Sequence, residues 1–318
     1  MDQIVGIVLP VFGLIGVGYI VAWTSLLREE TGEGLADFVF AVAIPVLIFR
    51  TIVVADFAGA APWRLWLPFF TGFAVMWAAG HVMARAAFGR DQRAGLVAGV
   101  SAAYGNIVLV GIPLTIAAYG EEGAVAIALI VAVHLPLAMA ASALLIGRAE
   151  RLDGVGGGHV DAGAAMIGVA RNLAANPIVI GIVVGALWRL SGIPLGGVPG
   201  VLVGRIADVA GTLALLALGM TLRKYGIGRN VPAGLALSAL KLLAMPALVL
   251  VLARHAVVLP PVWVKVAVVA GACPTGVTAY LVAARFRTGE ALASNAIAIS
   301  TALAVVSTTF WLNVVERF

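Results

Sequence analysis

Two stretches decide how this chain folds: Gly105-Asn106-Ile107-Val108-Leu109-Val110-Gly111-Ile112-Pro113-Leu114 and Gly271-Ala272-Cys273-Pro274-Thr275-Gly276. Each sets a Gly and Pro cluster deep inside a long apolar run. Proline removes a backbone donor and clashes with the carbonyl four residues earlier, so a helix through either stretch is kinked or broken. The backbone groups set free there cannot face lipid; they must be buried in protein or line a wet cavity. Both stretches occupy corresponding places in the two halves of the sequence, and paired interrupted helices of this kind mark the binding site in secondary transporters.

The surrounding sequence requires a hydrocarbon solvent. Of 318 residues, 62% are hydrophobic and 11% charged, against roughly 45–50% and 25% in soluble domains. The 38 glycines suit close helix–helix approach in a bilayer. A helix needs roughly 20 apolar residues to cross the hydrocarbon, and ten segments meet this: 4–25, 33–54, 64–88, 93–118, 122–146, 167–189, 200–222, 231–253, 262–285 and 290–314. The first lacks a basic flank and a cleavage site, so it reads as a spanning helix and not a removable signal. The pattern predicts an all-α membrane protein of ten transmembrane helices.

Residues 1–146 and 167–318 then form two five-helix repeats, joined by a flexible cytoplasmic linker, 147–166, that carries Gly156-Gly157-Gly158. Ala36-Asp37 recurs as Ala207-Asp208, and Gly120-Glu121 as Gly289-Glu290, at offsets of 171 and 169. An odd number of spans per half makes the repeats inverted, with helices 4 and 9 as the broken, crossing pair. With the N-terminus outside, the inner loops hold twelve Lys and Arg and the outer loops seven. That bias predicts both termini on the non-cytoplasmic side of the inner (plasma) membrane.

The breaks themselves predict chemistry. Proline suits the first position of a helix, so half-helices are expected to restart near Pro113 and Pro274. Free N–H groups and the helix dipole at such ends favour an anion. Asn106 can donate and accept, and it joins the backbone around Gly111, Ile112 and Pro113 as candidate substrate contacts. Cys273, Pro274, Thr275, Gly276, Thr278 and Tyr280 form the candidate set from the other side. Lys241, about ten residues or roughly 15 Å into the eighth span, either snorkels toward water or is a charge partner or proton-linked switch. His134, mid-way along the fifth span, is either hydrogen-bonded within the bundle or part of a proton relay. Asp37 and Asp208, near span ends, are expected either to face water or pair with an arginine such as Arg50, or to bind a proton or Na⁺.

These residues resemble a known family. The run Asn106 to Leu114 resembles the fourth helix of the auxin efflux carriers, and Pro274 followed by Ala283-Ala284-Arg285-Phe286 resembles their ninth. Ala43-Ile44-Pro45 with Leu47-Ile48-Phe49, Asn176-Pro177, Leu218-Gly219-Met220 and Lys241 with Pro246 are also similar. The resemblance implies a scaffold of helices 1, 2, 6 and 7, a transport unit of helices 3–5 and 8–10, and a homodimer formed through the scaffold. It implies a fold related to that of bile acid sodium symporters. It also implies efflux of small organic anions, auxin-like or dicarboxylate, by an elevator-like alternating-access motion. The short 147–166 loop matches bacterial-type members better than plant ones.

No metal ligand cluster, cofactor motif or phosphate-cradling loop is recognisable, which argues against an enzyme or an ATP-driven pump. The coupling ion, H⁺ or Na⁺, stays open. No basic-aromatic stripe of the kind that nucleic-acid binding needs is present either. A membrane receptor or sensor that binds an organic acid without moving it is the competing reading.

Overall fold

The structure, a computed structural model, describes residues 2–54, 61–152, 154, 167–168, 170–171, 174–228 and 231–318. Gly156-Gly157-Gly158 and most of the expected linker lie outside the described residues, as does part of the start of the sixth expected span. Among the described residues the secondary structure is helical, apart from one isolated antiparallel bridge between Gly105 and Thr275.

Helix α1 covers Asp2–Trp23. Helix α2 (Glu29–Phe38) passes through a π-helical turn, Val39–Ala43, into α3 (Ile44–Val54). Helix α4 is Pro62–Phe88 and α5 is Gln92–Ala103. After an interruption, a π-helical turn at Ile107–Gly111 leads into α6 (Ile112–Leu152). Helices α7 (Pro177–Leu190) and α8 (Gly197–Leu222) follow. Helix α9 (Val231–Ala239) runs through a third π-helical turn, Leu240–Ala244, into α10 (Met245–His255). Helices α11 (Pro261–Ala272), α12 (Thr278–Arg285) and α13 (Glu290–Val315) complete the chain.

Among the described residues, seven helical runs are long and apolar enough to cross a membrane, and α7 and α11 are shorter apolar helices. This is a multi-pass membrane protein. The expected fourth and ninth spans are not continuous: their leading halves, α5 and α11, are 12 residues each, and α12 is only 8. The trailing half of the expected fourth span and the expected fifth span are two helical segments of α6 separated by a kink at Gly120, whose backbone is non-helical at φ 58, ψ −144. Only glycine occupies that backbone region readily.

The three π-helical turns share one cause. Each ends two residues before a proline: Pro45, Pro113 and Pro246. The ring displaces the carbonyl four residues earlier and the helix widens locally to accommodate it. At Pro246 the displaced carbonyl is that of Leu242, which accepts from Ser307 Oγ and Trp311 Nε1, both at 2.8 Å. A freed acceptor inside the apolar bundle thus finds partners on α13, as burial demands.

Helix α1 packs on α8, and α3 packs on both α7 and α8. Small residues set these distances: a Cβ on Gly219 would lie 2.0 Å from the Ile15 carbonyl oxygen, and one on Gly18 2.3 Å from that of Leu216. Backbone contact at this range is how helices associate where apolar burial gives no net drive. Helix α4 packs on α5 and α10, while α11 packs against α6, α10 and α13. Helix ends are closed locally. The Asp91 carboxylate accepts from Ala94 N at 2.7 Å, and Asn176 accepts from Ile178 N at 2.9 Å ahead of Pro177. Leu9, Val17 and Ile20 of α1 point outward, 50–57% exposed, as expected for a helix solvated by lipid.

Candidate functional site

The two interruptions meet. Helix α5 ends at Ala103 and the chain runs extended through Tyr104 (φ −77, ψ 115) to Asn106 (φ −76, ψ 62). Helix α11 ends at Ala272, and Cys273 is extended (φ −57, ψ 143) because it precedes Pro274. The two extended segments lie antiparallel. Asn106 N donates to the Pro274 carbonyl at 2.7 Å, and Gly276 N donates to the Tyr104 carbonyl at 2.9 Å. Each break therefore satisfies backbone groups of the other, which is how irregular main chain persists inside an apolar bundle.

Neighbouring side chains close most of the remaining backbone account. Thr275 N donates to Ser300 Oγ of α13 at 2.9 Å, and Thr275 Oγ1 donates to the Ser101 carbonyl at 2.8 Å. Glycine is needed where the segments touch: a Cβ on Gly276 would lie 2.6 Å from the Tyr104 ring. A Cβ on Gly111 would lie 3.1 Å from Cys273 Sγ, so the lone cysteine packs across the crossing.

One cation is buried here. Lys241, in the π-helical turn between α9 and α10, is fully buried. It does not snorkel. Its Nζ donates to the Gly271 carbonyl at 2.5 Å and sits 3.3 Å from where a Cβ on Gly105 would be. Lys241 forms no ion pair with any carboxylate among the described residues. Beside it in sequence from Gly105, Asn106 is buried and its Nδ2 has no hydrogen-bond partner. A lysine ammonium and an amide donor thus stand at the joint of two interrupted helices with nothing negative to receive them. Buried polar groups are rarely left this way in the absence of a missing partner.

His134 is also part of this region. Its ring stacks on Tyr104 at 4.2 Å and an interplanar angle of 9°, with Phe69 and Phe73 edge-on at 5.6 and 5.4 Å. Its Nε2 has no partner, so the expected hydrogen bond at that nitrogen is absent. Thr278 is buried beside the Tyr104 hydroxyl. Tyr280 is not at the crossing in the same sense: it is half-buried, and its ring meets Tyr225 at 5.3 Å. Ile112 is buried, and Pro113 lines a cavity of about 320 Å³ between α1, α3, α6 and α8. At that cavity Arg50 pairs with Asp208 at 2.6 Å and reaches toward Glu121 at 3.9 Å.

The two breaks differ in where helix restarts. After the first, a π-helical turn at Ile107–Gly111 leads into α6 at Ile112, one residue before Pro113 and close to the expected place. After the second, Pro274 lies within the gap and α12 begins four residues later, at Thr278. There the extended residues are needed to make the antiparallel bridge, and this tertiary pairing overrides the local preference of proline for a first helical turn.

A sequence profile described as membrane transport protein matches residues 3–154 and 164–312. The chain belongs to this family, that of the auxin efflux carriers. Within it, a Rhizobium meliloti (strain 1021) protein whose name proposes that it transports malonate is 28% identical over 329 residues, covering 97% of this chain and 95% of its own. An uncharacterized transporter of Methanothermobacter thermautotrophicus (strain ATCC 29096 / DSM 1053 / JCM 10044 / NBRC 100330 / Delta H) is 26% identical over 310 residues, covering 96% of each chain. This auxin efflux carrier family member is a membrane transporter, not an enzyme. Tyr104 and Ser300 are site residues that sequence reading did not find. Tyr104 was within reach, as the aromatic directly before Gly105-Asn106; Ser300 carries no local signal and is brought in by the packing of α13.

Proposed function

We propose that this transporter moves small organic carboxylates, and that the cargo's carboxylate binds Lys241 and Asn106 where the two interrupted helices meet. The observation that carries this reading is the fully buried Lys241 ammonium, aimed at the breaks and lacking an acidic partner. A carboxylate there forms charge-assisted hydrogen bonds, which are stronger than neutral ones, and supplies the charge that burial otherwise leaves uncompensated. The main-chain N–H groups that open the restarted helix after Asn106 add a fixed positive end. The name of the Rhizobium meliloti relative agrees with a dicarboxylate such as malonate.

The same reading arranges the fold as ten transmembrane helices in two inverted repeats. Gly120 (φ 58) and Gly289 (φ 69) support it. Each sits at the turn after a restarted half-helix and is followed by a glutamate. Helices α1–α3, α7 and α8 form the scaffold and carry the homodimer contact; α4–α6 and α9–α13 form the transport unit. Elevator-like movement of that unit exposes the crossing to either side of the plasma membrane, with both termini outside and efflux as the net direction. Arg50 and Glu121 bridge the two units. An exposed pair of this kind is worth only about 0–1 kcal/mol, a tether weak enough to break on each cycle.

Accumulation of labelled malonate, malate and indole-acetate in proteoliposomes tests the proposal, run with and without Na⁺ and across pH to identify the coupling ion. Saturable accumulation of at least one acid supports it. Binding without accumulation transfers the case to a receptor, and neither binding nor uptake of any carboxylate overturns it.

A further inference from the structure

A second site lies away from the crossing. A groove of about 490 Å³ runs between the middle of α4 and the C-terminal half of α6, with the start of α5 at one end. Phe70, Phe73 and Leu137 line its apolar end; His81, Gln92 and Arg148 stand at the other. Phe70 and His81 are separated by eleven steps of one helix, about 16 Å of rise. The walls between are Ala, Leu and Trp. Leu145 and Leu152 are 40% and 65% exposed on the outer face of α6, so the groove opens toward the surroundings of the bundle and not into its core.

Its polarity is graded along its length. At the polar end the Gln92 amide, with its oxygen turned to the guanidinium, accepts from Arg85 Nη1 at 2.9 Å and Nη2 at 3.2 Å. This holds Arg85 beside the rim that Arg148 and His81 form. Arg148 is exposed and pairs with no carboxylate among the described residues. None of the groove's lining residues is acidic. The occupant that fits is long and apolar over most of its length, with a negative head at one end.

We propose that this groove binds an anionic phospholipid, one acyl chain lying along α4 and α6 and the phosphate at Arg148 and Arg85. Basic pockets between membrane helices select anionic headgroups through this chemistry. A zwitterionic lipid presents a second cation to the same arginines and is held less well. The chain terminus rests on Phe70 and Phe73, whose rings lie 6.4 and 5.4 Å from His134. Since His134 stacks on Tyr104 of the first break, two rings, a phenylalanine and His134, separate the bound tail from the crossing.

The test is native mass spectrometry of the full chain after reconstitution in a mixture of phosphatidylglycerol and phosphatidylethanolamine, alongside Arg148→Gln and Ala141→Trp. Wild-type protein is expected to retain phosphatidylglycerol preferentially. Arg148→Gln should reduce that retention about fivefold, the worth of one basic residue near an anionic membrane surface. Ala141→Trp, which fills the groove, should abolish it. Equal retention of the two lipids overturns the proposal, as does wild-type retention in Arg148→Gln. That variant alters an exposed side chain and so decides the matter even if Ala141→Trp fails to fold. Displacement of the lipid by malonate or indole-acetate would instead assign the groove to a carboxylate. Lipid retention is read without transport, so its failure leaves the crossing site untouched.

Discussion

Replacing Lys241 with methionine should separate ligand affinity from stability, because the two respond to the same change with opposite signs. The ammonium is fully buried and donates to the Gly271 carbonyl. Burying such an ion costs several kcal/mol even after relaxation. A charged hydrogen bond returns about 1.5–3 kcal/mol. Methionine is close in length, flexible and apolar, so it fills the space with little packing cost. It leaves the Gly271 carbonyl short of a donor, at about 1–3 kcal/mol, which roughly cancels the lost desolvation penalty. Lys241→Met should therefore melt at or above the wild-type temperature. With a carboxylate bound the accounting reverses, since removing one partner of a buried ion pair costs about 3–5 kcal/mol. At about 1.4 kcal/mol per decade, malonate affinity should fall by two to three orders of magnitude. Isothermal titration of the purified protein, paired with tryptophan-fluorescence melting, reads both quantities. A folded Lys241→Met that binds malonate within threefold of wild type would refute the pairing of Lys241 with cargo.

Asn106→Ala removes an amide whose Nδ2 has no hydrogen-bond partner within the protein among the described residues, so melting should be unchanged while carboxylate affinity drops about tenfold, one charged hydrogen bond; equilibrium binding checks it. In Gly276→Ala the new methyl meets the Tyr104 ring at 2.6 Å and the Gly105 carbonyl at 3.0 Å, which should cost about 1–3 kcal/mol of overpacking and lower the melting temperature by several degrees. Gly120→Ala places a side chain at φ 58, ψ −144, where strain of about 1–3 kcal/mol is expected; a thermal melt equal to wild type would show that the turn relaxes.

How much of this was legible beforehand differs between the site and its details. The interrupted stretches announce themselves, because glycine and proline clusters are rare within apolar runs and each has an unambiguous backbone consequence. The burial of Lys241 was half legible: its depth in the span is countable, but whether a flexible side chain reaches water depends on what the π-helical turn before Pro246 does to its direction. The restart near Pro113 is legible from the proline itself, whereas the one near Pro274 is displaced to Thr278, because Pro274–Gly276 pairs in extended form with Tyr104–Asn106. Such pairing is a property of two segments 170 residues apart and leaves no trace in either alone. Ser300 and Ser101 belong to the same class: ordinary serines in apolar helices until Thr275 is brought between them.

The most direct measurement is an experimental structure determined with malonate present. Density for a carboxylate is expected within hydrogen-bonding distance of both Lys241 Nζ and Asn106 Nδ2, at the place where the main chains of the two half-helices cross. Malonate resolved elsewhere, with Lys241 still bonded only to the Gly271 carbonyl, would contradict it.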